Sequence, residues 1–198
     1  MELMARYEDN YFDLAIVDPP YGLGDKTTKG GCNKNSQVRF KEHKWDNEIP
    51  TDDYFIELKR VSKNQIIWGG NYMTEYLTPT PCWLLWDKGF SEDVTFAQFE
   101  MAWTSFDKVA RYYRKNIAQV TSEGRMHPTQ KPITLYEFIL MNFAETGNKI
   151  LDTHLGSGSI ALACHNLGYD LTACELDKEY YEAAIKRIEQ HKAQIRMF

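Results

Sequence analysis

Four consecutive residues, Asp18-Pro19-Pro20-Tyr21, join an acid, two rigid imino acids and an aromatic ring at the end of an apolar run, Leu14-Ala15-Ile16-Val17. A short continuous apolar run makes a strand buried on both faces. Neither proline can donate a ladder hydrogen bond, so the strand stops there, and Pro20 holds Pro19 extended. The product is a stiff corner. Its carboxylate and a free backbone carbonyl can accept the hydrogens of an –NH2 group, while the ring of Tyr21 stacks on a flat heterocycle. The same tetrapeptide also serves as a plain turn after a strand, and on these four residues alone the two readings stand level.

A second group has the residue types of a nucleotide site. Asp152-Thr153-His154-Leu155-Gly156-Ser157-Gly158-Ser159 lies between an apolar strand and a helix. Glycines there allow tight turning and close ligand approach, and the helix N-terminus offers unpaired N–H groups. Glu175 ends the next strand, about 20 residues beyond the turn, where an acid takes both hydroxyls of a ribose. An adenosine-bearing cofactor fits this layout. The third glycine of a dinucleotide fingerprint is missing, and no P-loop lysine follows the turn, which disfavours NAD and ATP. Asp152 is read either as part of the site or as a helix-capping acid.

The elements that must position these groups follow from periodicity and punctuation. Strands are predicted at 12–18, 65–69, 82–87, 96–105, 149–152 and 170–175. Thr51-Asp52-Asp53 caps a helix to about Ser62, with Phe55, Leu58 and Val61 on one face. A short helix is expected from Tyr72 to Leu77, stopped by Pro79 and Pro81. A further helix follows Pro132 through Phe143, with Gly147 as its stop, and others cover 159–167 (stopped by Gly168) and 178–193. Residues 22–47 form a polar stretch longer than ordinary structureless connections, and it reads as either functional or mobile. Arg111 to Gly124 lacks a clear pattern and reads as an insertion. Strands alternating with helices give an α/β fold with a largely parallel sheet.

Composition bounds the function classes. The 198 residues suit one domain, and the net charge of −5 argues against coating nucleic acid through bulk charge. Two local basic groups stand out: Lys26, Lys29, Lys34, Arg39, Lys41 and Lys44, then Lys108, Arg111, Arg114 and Lys115 interleaved with Tyr112 and Tyr113. Each is either a solvated surface or a phosphate contact. The tyrosine pair either stacks on bases or packs in a core or subunit contact. No apolar run is long enough to span a membrane, and no secretory leader pattern opens the chain. The four cysteines, Cys32, Cys82, Cys164 and Cys174, lack metal spacing, and a reducing cytoplasmic setting is expected. His127 and His154 have no second ligand at helical spacing, so no metal is expected.

Taken together, Asp18-Pro-Pro-Tyr21 and Asp152-x-His-x-Gly156-Ser-Gly158 resemble the two signature motifs of S-adenosylmethionine-dependent DNA amino-methyltransferases. The catalytic motif precedes the cofactor motif, as in the β group of that family. Ile67-Trp-Gly-Gly-Asn71-Tyr72, Trp83-Leu-Leu-Trp86-Asp-Lys88, Phe99-Glu-Met-Ala-Trp103 and His127-Pro-Thr-Gln-Lys131-Pro132 resemble further family segments in the same order. His154 stands where the family usually has Phe, and Ser159 where it has Thr.

The resemblance implies a Rossmann-like methyltransferase fold over residues 1–198, with a short target-recognition insertion at about 105–125. It implies catalytic residues Asp18, Pro19, Pro20 and Tyr21, acting on an adenine turned out of the duplex. It also implies a cofactor site of Asp152, His154, Leu155, Gly156, Ser157, Gly158, Ser159 and Glu175, with Lys131 lining the methionine end. The expected reaction is methyl transfer from S-adenosylmethionine to adenine N6, with DNA as substrate partner and a homodimer as the expected assembly. The alternatives are transfer to cytosine N4 and, from another class, a non-catalytic DNA-binding subunit. A protein-glutamine methyltransferase is disfavoured because its cofactor motif comes first. Asn71 and Tyr72 brace the site or the base, or form a Gly-Asn turn. Cys82 is not read as a nucleophile, since amino-methylation needs no thiol.

Overall fold

The computed structural model describes residues 1–24, 48–90, 97–116 and 130–193. Seven strands form one sheet: β1 (Phe12–Val17), β2 (Ser62–Trp68), β3 (Trp83–Asp87), β4 (Phe99–Thr104), β5 (Arg111–Arg114), β6 (Lys149–Asp152) and β7 (Asp170–Ala173). Among the described residues four α-helices accompany them: α1 (Asp52–Val61), α2 (Ile133–Phe143), α3 (Ser159–Leu167) and α4 (Lys178–Ala193). The sheet order is β5-β3-β4-β2-β1-β6-β7. Among the described residues only β4 runs against the other strands, so the sheet is largely parallel, as its sequence pattern implies.

The apolar run that opens the chain lies at the centre of this sheet. β1 pairs in parallel with β2 on one side and β6 on the other. Leu14 and Ile16 point into the core beneath α2 and α3, whereas Ala15 and Val17 point into the core beneath α1. Period-2 alternation between two covered faces is why the segment is apolar throughout. In β2, Ile66 and Trp68 face the α2–α3 side while Ile67 faces α1. The buried face of α1 is Tyr54, Phe55, Leu58 and Val61.

From β1 the chain crosses to β2 on one side, and from β6 it crosses to β7 on the other. The sheet therefore has a topological switch between β1 and β6, and a crevice opens outside their carboxyl ends. Asp18 follows β1 directly, and Asp152 closes β6. The fold thus brings the two candidate groups side by side although most of the chain separates them.

Several local expectations are corrected. Thr51 stands at the N-cap of α1 with extended backbone, but its hydroxyl makes no capping bond; Asp52 and Asp53 in the first turn supply charge to the helix dipole instead. Residues 70–76 form two 3-10 turns, not one helix. Helix α2 ends at Phe143 ahead of Gly147. Arg111–Arg114, read as patternless, is strand β5, pairing with β3 at the edge of the sheet. Part of the predicted insertion is thus sheet, while 117–125 lies outside the described residues, as do the first basic group and His127. No helix among the described residues is long and apolar enough to cross a membrane.

Candidate active site

Asp18 leaves the sheet where Pro19 and Pro20 end the ladder, and each of its oxygens is assigned. Oδ1 accepts the hydroxyl of Tyr21 at 2.6 Å, and Oδ2 accepts the ammonium of Lys131 at 2.5 Å. Burial, then the charge of Asp18, raises the Tyr21 phenol far above its usual range, so it acts as a donor. The Tyr21 ring packs on Gly69, whose φ is +67°. A Cβ at that glycine would fall 2.2 Å from the ring, so the close approach and the left-handed backbone both require glycine. Tyr21 also stacks on Tyr72 with centroids 5.4 Å apart and planes at 21°. Tyr72, on the 3-10 turn after β2, is the more exposed of the two rings.

The Lys131 side chain is 1% exposed and makes a second ion pair with Glu100 on β4, at 3.1 Å from Oε2. Its remaining near contact is the Tyr21 hydroxyl at 3.3 Å. The other Glu100 oxygen pairs with Lys88 at 2.6 Å. Burial alone would raise the Glu100 carboxyl, but the two ammoniums outweigh it and hold it at about 2. Burial alone would lower Lys131; the carboxylates of Asp18 and Glu100 outweigh it and raise it. Glu100 and Lys131 therefore keep their charges in the middle of the row Asp18–Lys131–Glu100–Lys88. The ammonium also lies 5.0 Å from the centre of the Trp68 ring.

The glycine turn after β6 is held from three directions. The Gly156 N–H donates to Glu175 Oε2 at 2.8 Å, and the Asp177 N–H donates to Oε1 at 2.9 Å. Leu155 N–H and Cys174 N–H close backbone bonds between the β6 and β7 ends. From α4, Arg187 donates to the Ser157 carbonyl at 2.9 Å and to Ser159 Oγ at 3.0 Å. Gly158 has φ +74°, and a Cβ there would meet Ala184 and Ile188 of α4. Gly158 and Ser159 thus serve helix packing in this structure, and neither is a wall of the cleft.

Asp152 sits at the floor, where its Oδ1 accepts the His154 N–H at 2.9 Å. Burial raises its carboxyl to about 8, against that hydrogen bond, and the charges of Asp18 and Glu175 add to the rise. His154 contacts Thr153 Oγ1 through Nδ1 at 2.9 Å, and Thr153 Oγ1 meets the Tyr54 hydroxyl at 2.7 Å. Burial lowers His154 to about 4, so it is neutral at pH 7.

These groups border a cleft of about 290 Å³ at the switch point. Asp18, Pro20, Lys131 and Tyr136 line one end; His154, Leu155, Gly156 and Ser157 line the turn; Glu175, Leu176, Asp177 and Tyr180 line the other end. Of the residues expected from the sequence, Asp18, Pro20, Lys131, His154, Leu155, Gly156, Ser157 and Glu175 are brought to this cleft. Pro19 is buried behind it, Tyr21 lies over Asp18, and Asp152 lies beneath. The expected position of Lys131 is refined: it lines the cleft, but its ammonium is committed to Asp18 and Glu100. Gly69, Lys88 and Glu100 lie in segments read as family motifs but were given no role, and Tyr54 and Arg187 lie outside every motif. An acid inside the aromatic strand 99–104 was the one available signal, since a buried carboxylate demands a cation. Cys82 lies away from the cleft, its thiol directed at the Val109 carbonyl 3.5 Å away.

The cleft suits a cationic adenosine derivative by its donor set. Three acids, Asp18, Glu175 and Asp177, meet positive charge, Gly156 admits close approach, and Leu176, 93% exposed, offers an apolar edge for a flat base. The volume is near the lower end of small-molecule pockets, roughly 300–1,000 Å³.

The DNA methylase family model for N6 and N4 methyltransferases matches residues 67–186, more than half of the chain, and the chain belongs to that family. It is an S-adenosylmethionine-dependent DNA amino-methyltransferase. The type II methyltransferase M.HpaI of Haemophilus parainfluenzae is 25% identical over 231 residues, covering 96% of this chain and 72% of the relative. Among solved structures, the M1.HpyAVI–SAM complex superposes with a TM-score of 0.61 at 19% identity, covering 94% of both chains. The cytosine-N4-specific PvuII DNA methyltransferase gives 0.62 at 13% identity over 96% of this chain and 86% of its own. Both likenesses show the Rossmann-like methyltransferase fold.

Proposed function

We propose that this chain methylates the N6 amine of adenine in DNA, with Asp18 as the group that receives and orients the amine. The observation that carries the reading is a carboxyl group fixed at the cleft's edge by Tyr21 and Lys131. Relatives with Ser in place of Asp18 lean toward cytosine, so the acid tilts the choice to adenine. Fold alone does not separate the two bases, since the PvuII enzyme shares it.

S-adenosylmethionine, when bound, supplies a methyl group already activated on a sulfonium cation. Gly156, Glu175, Leu176 and Asp177 are the residues that would hold its adenosine, with Asp18 at the opposite end facing its positive charge. The protein's task is then alignment. The adenine amine is a poor nucleophile because its lone pair is spread into the ring. Donating its N–H bonds to Asp18 and to the Pro19 carbonyl draws that pair toward tetrahedral geometry. Tyr21 and the more exposed Tyr72 provide the aromatic surface for the extruded base. The surplus proton passes to water after transfer, since Asp18 already accepts from Tyr21 and Lys131.

The sheet-edge segment with Arg111, Tyr112 and Arg114, all exposed, belongs to the proposed recognition region at about 105–125. A chain with so short a recognition segment would gain DNA-reading surface as a homodimer. We take residues 1–198 as one catalytic domain working in the cytoplasm.

Methylation-sensitive sequencing of DNA from cells expressing the chain tests base and context together. N6-methyladenine at a recurring motif supports the reading. N4-methylcytosine would transfer the mechanism to the other base, and no modified base would favour a binding subunit.

A further inference from the structure

We propose that Glu100 is a positioning residue for methyl transfer, acting through Lys131 to hold the Asp18 carboxylate in the orientation the target amine needs. The inference rests on the reading of Asp18 as the amine's acceptor.

Glu100 and Lys88 are not walls of the cleft, so neither is placed to touch cofactor or base. Their effect must travel through Lys131. That ammonium has three hydrogens and three oxygens around it: Asp18 Oδ2 at 2.5 Å, Glu100 Oε2 at 3.1 Å and the Tyr21 hydroxyl at 3.3 Å. Two of its hydrogens go to Asp18 and Tyr21, while Glu100 Oε2 accepts no hydrogen bond and holds the ammonium by charge, so its position follows from both carboxylates. With its side chain 1% exposed, water cannot replace either anion. Glu100 is itself anchored, because Lys88 takes its second oxygen at 2.6 Å.

The arrangement gives the two oxygens of Asp18 different duties. Oδ2 is spent on Lys131, while Oδ1 faces Tyr21 and keeps a second lone pair for an N–H. Were Glu100 neutral, the buried ammonium would lean on Asp18 alone. The carboxylate would follow it and the acceptor geometry would loosen. Lys131 would also lose its proton at lower pH, since burial opposes the charge that Glu100 helps to hold. The other ionisable groups facing it are Asp18, Tyr21, Lys88 beyond Glu100, Tyr136 of α2 and Asp152 of β6.

The test compares Glu100→Gln, Lys88→Gln and Asp18→Asn with the native enzyme on DNA, reading kcat, calorimetric affinity for S-adenosylmethionine and the alkaline side of the rate profile. Glu100→Gln is expected to lose about tenfold or more in kcat, with cofactor affinity within about twofold of native. Its alkaline limb should lie at lower pH than the native limb, because Lys131 loses one of the two carboxylates that raise it against burial. Lys88→Gln removes a like charge from the neighbourhood of Lys131. It should therefore keep the native alkaline profile while losing severalfold in kcat, and it tests the proposal even if Glu100→Gln does not fold.

A native kcat in either variant, or a loss in Glu100→Gln with no movement of the alkaline limb, overturns the proposal. Asp18→Asn keeps the two failures apart. If it is inactive while the Glu100 and Lys88 variants are native, only the positioning role falls; if it transfers methyl at the native rate, the underlying reading falls.

Discussion

The Lys131 ammonium lies 2.5 Å from Oδ2 of Asp18, across 113 residues of sequence. One partner ends the central strand of the sheet, and the other stands just ahead of the helix that leads to β6. Their contact ties the Asp18–Tyr21 corner to the segment before α2 in one ion pair, its lysine buried and its acid half-buried. Removing Lys131 leaves Asp18 and Glu100 without the cation between them, whereas removing Asp18 leaves Lys131 still paired with Glu100.

The conservative test of the corner is Asp18→Asn. The amide keeps one carbonyl acceptor but places an NH2 group where either Tyr21 or Lys131 donates. Transfer should fall by about 10²–10³-fold or more, while calorimetry still detects S-adenosylmethionine binding. An unchanged turnover at saturating cofactor would remove Asp18 from the reaction.

Gly69→Ala probes the support beneath Tyr21. The new methyl would collide with the ring, and the residue would be held in left-handed backbone. Strain of this kind costs about 1–3 kcal/mol. The expected result is a lowered melting temperature together with reduced turnover, because Tyr21 must leave its place beside Asp18. A variant with native stability and rate would show that the ring has room to spare.

Arg187→Leu reaches the cofactor turn without touching the cleft. It deletes the donors to Ser157 O and Ser159 Oγ while keeping the apolar bulk of α4. Each lost hydrogen bond is worth about 0.5–1.5 kcal/mol. Cofactor affinity should weaken by about fivefold to tenfold, with kcat at saturation close to native. Native affinity by calorimetry would show that the turn holds its shape without α4.

Two buried groups give stability opposite pH trends. His154 titrates at about 4 in the folded chain against an ordinary 6.5, so the unfolded state binds the extra proton between those values. Its contribution is present above about pH 6.5 and is lost as pH falls toward 4. Asp152 is raised from 3.8 to about 8, so the folded state holds the extra proton, and stability declines as pH rises across that window. Asp152→Asn keeps an acceptor for the His154 N–H and removes the ionisable group. It should be more stable than native at pH 9, and the advantage should vanish near pH 4. Denaturant midpoints at the two pH values decide; an equal difference at both would mean that Asp152 ionises freely.

The corner and the glycine turn were legible because their chemistry is local: a run of consecutive residues fixes backbone shape and functional groups together. The alternation of strands and helices was legible for the same reason. What escaped was non-local. Nothing near Tyr54 marks it as the partner of Thr153, 99 residues away. Glu100 showed only as an acid in an aromatic strand, and its cations, Lys88 and Lys131, meet it through the antiparallel pairing of β3 with β4 and the approach to α2. Strand β5 escaped because an edge strand, with Arg111, Tyr112 and Arg114 all exposed, lacks the apolar alternation of a covered one. Gly158 was read as ligand-facing because sequence does not say which side of a turn a neighbouring helix occupies.

The most direct measurement of the central claim uses purified protein, duplex DNA and S-adenosylmethionine carrying a labelled methyl group, followed by digestion to nucleosides. Native protein should place the label on N6-methyladenine, and Asp18→Asn, loaded with the same amount of cofactor, should place almost none. Label on another nucleoside, or equal labelling by the two proteins, would contradict the account.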